Sequence, residues 1–343
     1  MAKPVIQALQ GRKTSTPPIW LMRQAGRYLP EYRDIRAQAE SFLTLCYTPD
    51  LAAEVTLQPI RRFGFDAAII FADILLVPDA LGQKLWFEDN HGPRLEPLDG
   101  ARGLSHLSLD RVSRHLAPVY EAIAKVRAQL PPETALIGFA GAPWTVATYM
   151  CEGRGSQDHV AARSFAYRDA VGFTQLIDLL VEATIVHLLA QIEAGADAVQ
   201  LFDTWAGALD EAGFARWCTA PARRIVDAVK ERHPHVPVIG FPRGAGARLE
   251  TYVRDSGVDG IGLDSAVPLD YARRALQPHA CVQGNLDPLR LVAGGASLHS
   301  QVRAICDSWH ARPFIFNLGH GIVPQTPVEH VEALVKLVRD RVS

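Results

Sequence analysis

No stretch of this sequence runs for about eighteen uncharged apolar residues, the length a membrane-spanning helix needs. The amino-terminal MAKPVIQALQGRKTSTPP has neither a long apolar core nor an arginine-rich amphipathic run, so no targeting segment is read there. A cytoplasmic location with no membrane partner is expected. An excess of one charge sign is also missing. With 35 basic residues against 37 acidic ones, no global basic field awaits nucleic acid, and any anionic ligand must be met locally. Cysteine pairs at CxxC spacing are absent. Cys46, Cys151, Cys218, Cys281 and Cys306 are scattered, which argues against a zinc ribbon or a disulfide framework and leaves reduced, packing thiols. There is no GxSxG elbow for covalent serine chemistry, and RGAGAR (243–248) lacks the GKS/T ending of a phosphate loop. Lysine is scarce, at six against 29 arginines; forked recognition of carboxylates and codon bias both produce such a ratio.

What is present is apolar and periodic. At 48% hydrophobic and 21% charged, the chain can bury a large core. Eight short apolar runs have strand length: IWLM (19–22), AAIIF (67–71), ALIGF (135–139), AVQLF (198–202), VPVIGF (236–241), GIGL (260–263), CVQG (281–284) and FIFNL (314–318). Their nearly continuous apolar character predicts parallel strands buried on both faces. Between them lie segments with helical spacing, such as DAVGFTQLIDLLVEATIVHLLAQIEAGA. Three joints echo one another: FGFDAAIIFAD (63–73), AGADAVQLFD (194–203) and SGVDGIGLD (256–264). In each, a Gly suits a helix C-cap, an Asp two residues later starts a strand, and a second Asp closes it. With no low-complexity linker and no GxGxxG turn after the first strand, the prediction is an α/β chain forming a single (β/α)8 barrel domain over 1–343.

In such barrels the active-site cleft sits at the C-terminal ends of the strands. Reading those ends gives Arg23 and Arg27 after the first strand, Asp73 after the second, Tyr149 beyond the third, and Asp203 with Thr204 after the fourth. Arg243, Asp264, Asn285 with Asp287, and His320 follow the remaining four. A strand-end polar residue is ordinarily a solvated or turn-forming group, so about half of these are expected to be bland.

Five positions can carry chemistry. Arg23 and Arg27, at i and i+4 in RQAGR, would stack on a helical turn, or converge even if the turn is irregular around Gly26. Two guanidinium forks suit a ligand with several carboxylates or phosphates; the alternative is surface pairing with Glu31 or Asp34. Asp73, flanked by apolar residues in IIFADILL, is costly to bury without a facing donor. That donor is either Arg23 or Arg27 in an ion pair, or a group on the ligand. Tyr149 follows the strand-and-turn LIGFAGAP on an expected short helix with Trp144, ahead of a segment over 152–155 expected to form a mobile rim or lid. His320 lies between two glycines that would let backbone approach a ligand closely. His279 and Cys281 supply two of the three ligands zinc needs, but at the start of a strand, so no metal site is expected.

PPIWLMRQAGRYLPEYR (17–33) and GFAGAPWTVATYM (138–150) resemble the two signature segments of the uroporphyrinogen decarboxylase family. FADIL, QLFDTWAG, QGNLDP and NLGHGIVPQTP resemble its other motifs in the same order, from about residue 4 to 340. The resemblance implies a cofactor-independent lyase of haem and chlorophyll synthesis, a homodimeric barrel that converts the four acetate groups of uroporphyrinogen III to methyls, giving coproporphyrinogen III. It also implies that Arg23, Gln24, Ala25, Gly26 and Arg27 form a substrate-binding segment and that Asp73 faces the pyrrole N–H groups. Tyr149, Thr204 and His320 match further substrate contacts, and Phe139 and Phe202 are placed to pack on the macrocycle. Arg27, Tyr149, His320 or a held water are the candidate proton donors. Two rivals stand against this reading: a zinc-dependent corrinoid or thiol methyltransferase, and a non-catalytic porphyrin carrier.

Overall fold

The computed structural model describes residues 3–88, 92–309 and 312–340; the two ends of the expected 1–343 domain lie outside them. Nine strands are β1 (Ala67–Ile69), β2 (Leu85–Glu88), β3 (Gly92–Leu95), β4 (Ala135–Gly141), β5 (Ala198–Asp203), β6 (Val238–Pro242), β7 (Gly260–Gly262), β8 (Cys281–Leu286) and β9 (Phe314–Leu318). Seven of them form one parallel sheet in the order β1-β4-β5-β6-β7-β8-β9. Seven of the eight apolar runs are therefore strands of this sheet. Every residue of β4, β6, β8 and β9 is buried, as expected where helices cover one face of a sheet and its own side chains fill the other.

The repeated joints explain the register. Gly64, Gly195 and Gly257 all take positive φ, at 63°, 120° and 74°, which L side chains rarely adopt. The aspartate two residues after each glycine reaches to the preceding segment. Asp197 accepts the Leu136 N–H at 2.8 Å, Asp259 that of Val238 at 2.7 Å, and Asp66 that of Ile19 at 2.8 Å. Each joint thus turns the chain out of a helix and staples the new strand to its neighbour.

The first run departs from expectation. Residues 19–22 form no strand but a single parallel bridge, Ile19 to Phe316. Pro17 and Pro18 have no N–H to offer a ladder. The Leu21 N–H is taken by the Gln24 side chain at 3.1 Å, and the Met22 N–H by that of Asn317 at 3.0 Å. Side chains have replaced the pairing that would extend the bridge. The same segment touches both edges of the sheet, because Asp66 N–H donates to Ile19 O at 2.9 Å on the β1 side. The sheet is accordingly curled.

The hairpin β2–β3, paired Leu85 to Leu95 and Phe87 to Pro93, is an addition outside the parallel sheet. Its base is tied to the helix Pro143–Glu152, with Leu95 N–H donating to Gly153 O at 2.8 Å. The helix Ala170–Glu193 is long and apolar enough to cross a membrane, although it carries Asp178 and Glu182; half of its most apolar window is buried inside the protein.

Candidate active site

A cavity of about 420 Å³ opens at the carboxyl ends of the strands. It is lined by Arg23, Gln24, Ala25, Gly26 and Arg27, by Asp73 just beyond β1, and by Phe139, Phe202, Thr204 and His320. Ten of the eleven expected site residues therefore meet in one place, although they span about 300 positions of sequence.

The arginine segment is not helical. The chain turns irregularly until the helix Pro30–Gln38, and Arg23 takes φ 61°. Its conformation is fixed from beneath by buried Gln24, whose side chain accepts from Leu21 N–H and donates to Ala67 O at 3.0 Å, while Tyr28 donates its hydroxyl to Gln24 O at 2.8 Å. The surface pairing considered for these arginines is not made with Glu31, which Arg62 binds through two hydrogen bonds, 2.7 and 3.0 Å. Both guanidinium groups are exposed at the cavity.

Asp73 accepts one backbone N–H, from Leu75 at 2.8 Å. Burial pushes its carboxyl up to about 6, while that hydrogen bond and the Arg23 charge act in the opposite direction. Among the described residues no cation lies within ion-pair distance of it, so its remaining acceptor capacity faces the cavity.

The aromatic residues form a connected series of rings. Phe139 meets Phe202 edge to face at 5.5 Å, Phe202 meets Phe241 at 6.1 Å, and Phe241 stacks on His320 at 6.3 Å. Burial, followed by the charges of Arg23 and Arg243, lowers His320 to about 4 and keeps the imidazole neutral at pH 7. The glycines beside it serve the protein rather than a ligand. A Cβ on Gly319 would lie 2.4 Å from Ser265 N, and one on Gly321 would lie 2.3 Å from Arg23 Cδ.

Tyr149, on the helix Pro143–Glu152, is not among the cavity-lining residues. Its ring lies 6.2 Å from that of Trp205, and burial, with Asp73 adding to it, raises its hydroxyl above the usual phenol value. The charges of Asp73 and Arg23 both act on it, so it stands close to them without lining the cavity. Of the expected rim, Glu152 accepts from Ala161 N–H at 2.7 Å and Gly153 caps its helix in the left-handed region.

Four of the other strand-end residues are structural. Asp264 accepts from Gly244 N–H at 2.8 Å and Ala266 N–H at 2.9 Å; Asn285 donates to Val267 O at 2.9 Å; Asp287 caps the helix Pro288–Ala293. Asp203 is fully buried, bound by the Thr145 hydroxyl at 2.5 Å, and burial pushes it up to about 6. His279 and Cys281 line a second cleft at the amino ends of the strands. Among the described residues no three His, Cys, Asp or Glu side chains are grouped to hold a metal ion.

The family model described as "Uroporphyrinogen decarboxylase (URO-D)" matches residues 2–341. The chain belongs to the uroporphyrinogen decarboxylase family. It is 54% identical to the uroporphyrinogen decarboxylase of Rhodospirillum rubrum over 98% of this chain and 97% of that one. It is 56% identical to that of Sphingopyxis alaskensis over 98% of each. Among solved structures, a methyltransferase from Methanosarcina mazei superposes with a TM-score of 0.81 at 19% identity, covering 99% of this chain and 98% of the other. A B12-independent methionine synthase from Shewanella superposes at 0.57 and 12% identity, covering 85% of this chain and 88% of that one. At those identities the likeness is one of fold.

Sequence reading missed part of the cavity wall. Tyr28, Tyr32, Phe42, Pro93 and Ile322 also line the cavity. Phe42 meets Phe71 at 5.7 Å and Phe87 of the hairpin at 4.5 Å. The alternation of Leu85 and Phe87 just before Gly92 was the available signal for that hairpin.

Proposed function

We propose that this chain removes the four acetate carboxyl groups of uroporphyrinogen III as CO2, giving coproporphyrinogen III in tetrapyrrole biosynthesis, and that it does so without a cofactor. The observation that carries the reading is the pairing of opposites in one cavity: a carboxylate without a cationic partner at the floor, and arginines without anionic partners at the rim. A domed macrocycle with pyrrole N–H donors at its centre and carboxylates around its edge satisfies both at once. Phe139 and Phe202, with buried Phe241 packed behind them, offer its apolar face a surface.

Protonating a pyrrole α-carbon makes the ring cationic, an electron sink into which the acetate C–C bond can break. CO2 leaves, the exocyclic methylene takes a second proton, and loss of the α-proton restores the pyrrole, so one proton is consumed per CO2. Asp73, ionised above about pH 6, stabilises the cation from the ring centre. Arg23 and Arg27 hold the carboxylate-bearing side chains. His320, neutral at pH 7, contributes a hydrogen bond rather than a charge. Thr204 completes the polar lining, with Tyr149 outside it but within reach of the charges of Asp73 and Arg23.

The finer architecture follows the same reading. Residues 18–21 act as the eighth strand of a single closed barrel domain: Ile19 stands to Asp66 as Leu136 does to Asp197, and Phe316 N–H donates to Pro18 O at 2.8 Å. A homodimer in the cytoplasm fits the family. The exposed Val160 and Tyr167, seven apart on one helix, with Val171 beyond them, form an apolar strip suited to a second copy.

The test is anaerobic incubation of the purified, metal-stripped protein with uroporphyrinogen III, followed by oxidation and chromatography. Passage through seven-, six- and five-carboxyl products to the four-carboxyl porphyrin is expected. Tight binding with no product would leave a carrier in its place.

A further inference from the structure

We propose that Arg243 is a further specificity-determining residue of this site, closing with Arg23 and His320 a subsite that takes one carboxylate of the substrate. The inference rests on the reading above, that the ligand is a macrocycle with carboxylates around its edge.

Placement comes from the backbone. Arg243 N–H donates to Asp203 O at 3.1 Å, so the β5–β6 pairing continues one residue past Pro242. The same N–H also reaches Phe241 O at 3.1 Å, and Ala245 N–H donates to Pro242 O at 3.3 Å, so the chain turns here and Arg243 sits at the carboxyl end of β6, two residues beyond Phe241. The Phe241 ring stacks on His320 at 6.3 Å with an interplanar angle of 28°. Arg243 is not among the residues that line the cavity, but it follows the strand whose Phe241 packs on the imidazole, and its charge acts on His320 from there. Arg23 comes from the other side, its aliphatic stem laid against Gly321.

These groups offer donors and no acceptor. Arg243 is half-buried, yet among the described residues its guanidinium forms no ion pair or hydrogen bond, and neither does that of Arg23. His320 Nδ1 is buried with no partner. Of the acids that follow, Glu250 pairs with Arg254 at 2.7 Å, and the strand-end Asp264 is committed to the Gly244 and Ala266 N–H groups. The two arginines also both act to lower the proton affinity of His320. Cations left facing one another beside an unpaired ring nitrogen await an anion, and a guanidinium fork fits a carboxylate through two parallel hydrogen bonds. Asp73 holds the ring centre, so a carboxylate seated here fixes the rotation of the macrocycle and hence which acetate is presented to the reacting position.

The experiment titrates the wild type, Arg243→Gln and Arg243→Lys with uroporphyrin III, the stable oxidised macrocycle, by fluorescence. Each is also assayed with uroporphyrinogen III. Loss of one charge-assisted contact raises the Kd of Arg243→Gln about tenfold and lowers kcat/KM by a similar factor. Arg243→Lys recovers part of both, because the charge is kept and the fork is lost. The order in which seven- and six-carboxyl intermediates accumulate should shift as well, which a purely structural role would not cause. An unchanged Kd in Arg243→Gln, or equal losses in the Gln and Lys variants together with a lowered unfolding midpoint, would overturn the proposal. A wild type that binds uroporphyrin yet releases no CO2 would instead sink the decarboxylase reading, with the Kd comparison still deciding the role of Arg243.

Discussion

Two ends of the same sheet use the same side chain for opposite purposes. At the amino end, Asp66, Asp197 and Asp259 each hold a backbone N–H of the neighbouring segment and each have a cation at hand. Arg339 lies 3.9 Å from Asp66, Arg127 2.9 Å from Asp197, and Lys230 2.7 Å from Asp259. At the carboxyl end, Asp73, Asp203 and Asp264 close the same three strands without a salt bridge to any described residue. Asp203 and Asp264 are satisfied by hydroxyl or backbone donors. Only Asp73 keeps most of its acceptor capacity facing a cavity. An acid with every partner supplied by the protein serves the fold, whereas one left short of partners is held for a ligand.

The largest effect is expected where the contrast is sharpest. Asp73→Asn should keep the shape of the site and lose about 10² to 10³ in turnover of uroporphyrinogen, the usual loss on removing one preorganised electrostatic partner. Steady-state CO2 release checks it, and near wild-type turnover would erase the distinction between the two ends. Asp197→Ala should do the reverse. It strips Arg127 and the Leu136 N–H of a half-buried acceptor and should cost about 2–3 kcal/mol of stability, read by urea denaturation, with activity per folded molecule unchanged. Asp203→Asn, which still offers an oxygen to Thr145, should shift stability by under about 1 kcal/mol in either direction; a loss of several times that would place Asp203 with the amino-end acids.

A smaller effect concerns pH. His320 binds a proton only near pH 4 in the folded protein, against about 6.5 when unfolded. Between those values the unfolded state holds more protons, so stability falls as pH falls from 6.5 to 4. His320→Gln should remove on the order of 1 kcal/mol of that slope, allowing for the partial exposure of the ring. Denaturation midpoints at pH 7 and 4.5 measure it.

Sequence reading located strands better than it located partners. The glycine and aspartate joints worked because each is a local device: a left-handed cap, then an acid within reach of the adjacent strand. The IWLM run did not become a ladder strand, because its N–H groups are diverted to Gln24 and, across nearly 300 residues, to Asn317. Arg23, Asp73, Thr204 and His320 were legible as strand-end residues, since a parallel barrel-like sheet brings every such end to one face. That rule gives a position but not a partner. It ranked Asp264, Asn285 and Asp287 beside Asp73, and only their hydrogen bonds to distant or following backbone separate them. Tyr149 sits behind the cavity for the same reason: helical spacing sets its face, while the packing of Trp205 sets its depth.

The most direct test of the comparison is the unfolding free energy of Asp73→Asn at pH 7 and at pH 4. Because burial raises the folded pKa of Asp73 to about 6, its charged form burdens the folded state above that pH and not below about 4. The variant should therefore be more stable than wild type by about 1–2 kcal/mol at pH 7, with the gain vanishing near pH 4. A variant less stable than wild type at pH 7 would mean that Asp73 supports the fold as Asp197 does, and would contradict the assignment of this acid to a ligand.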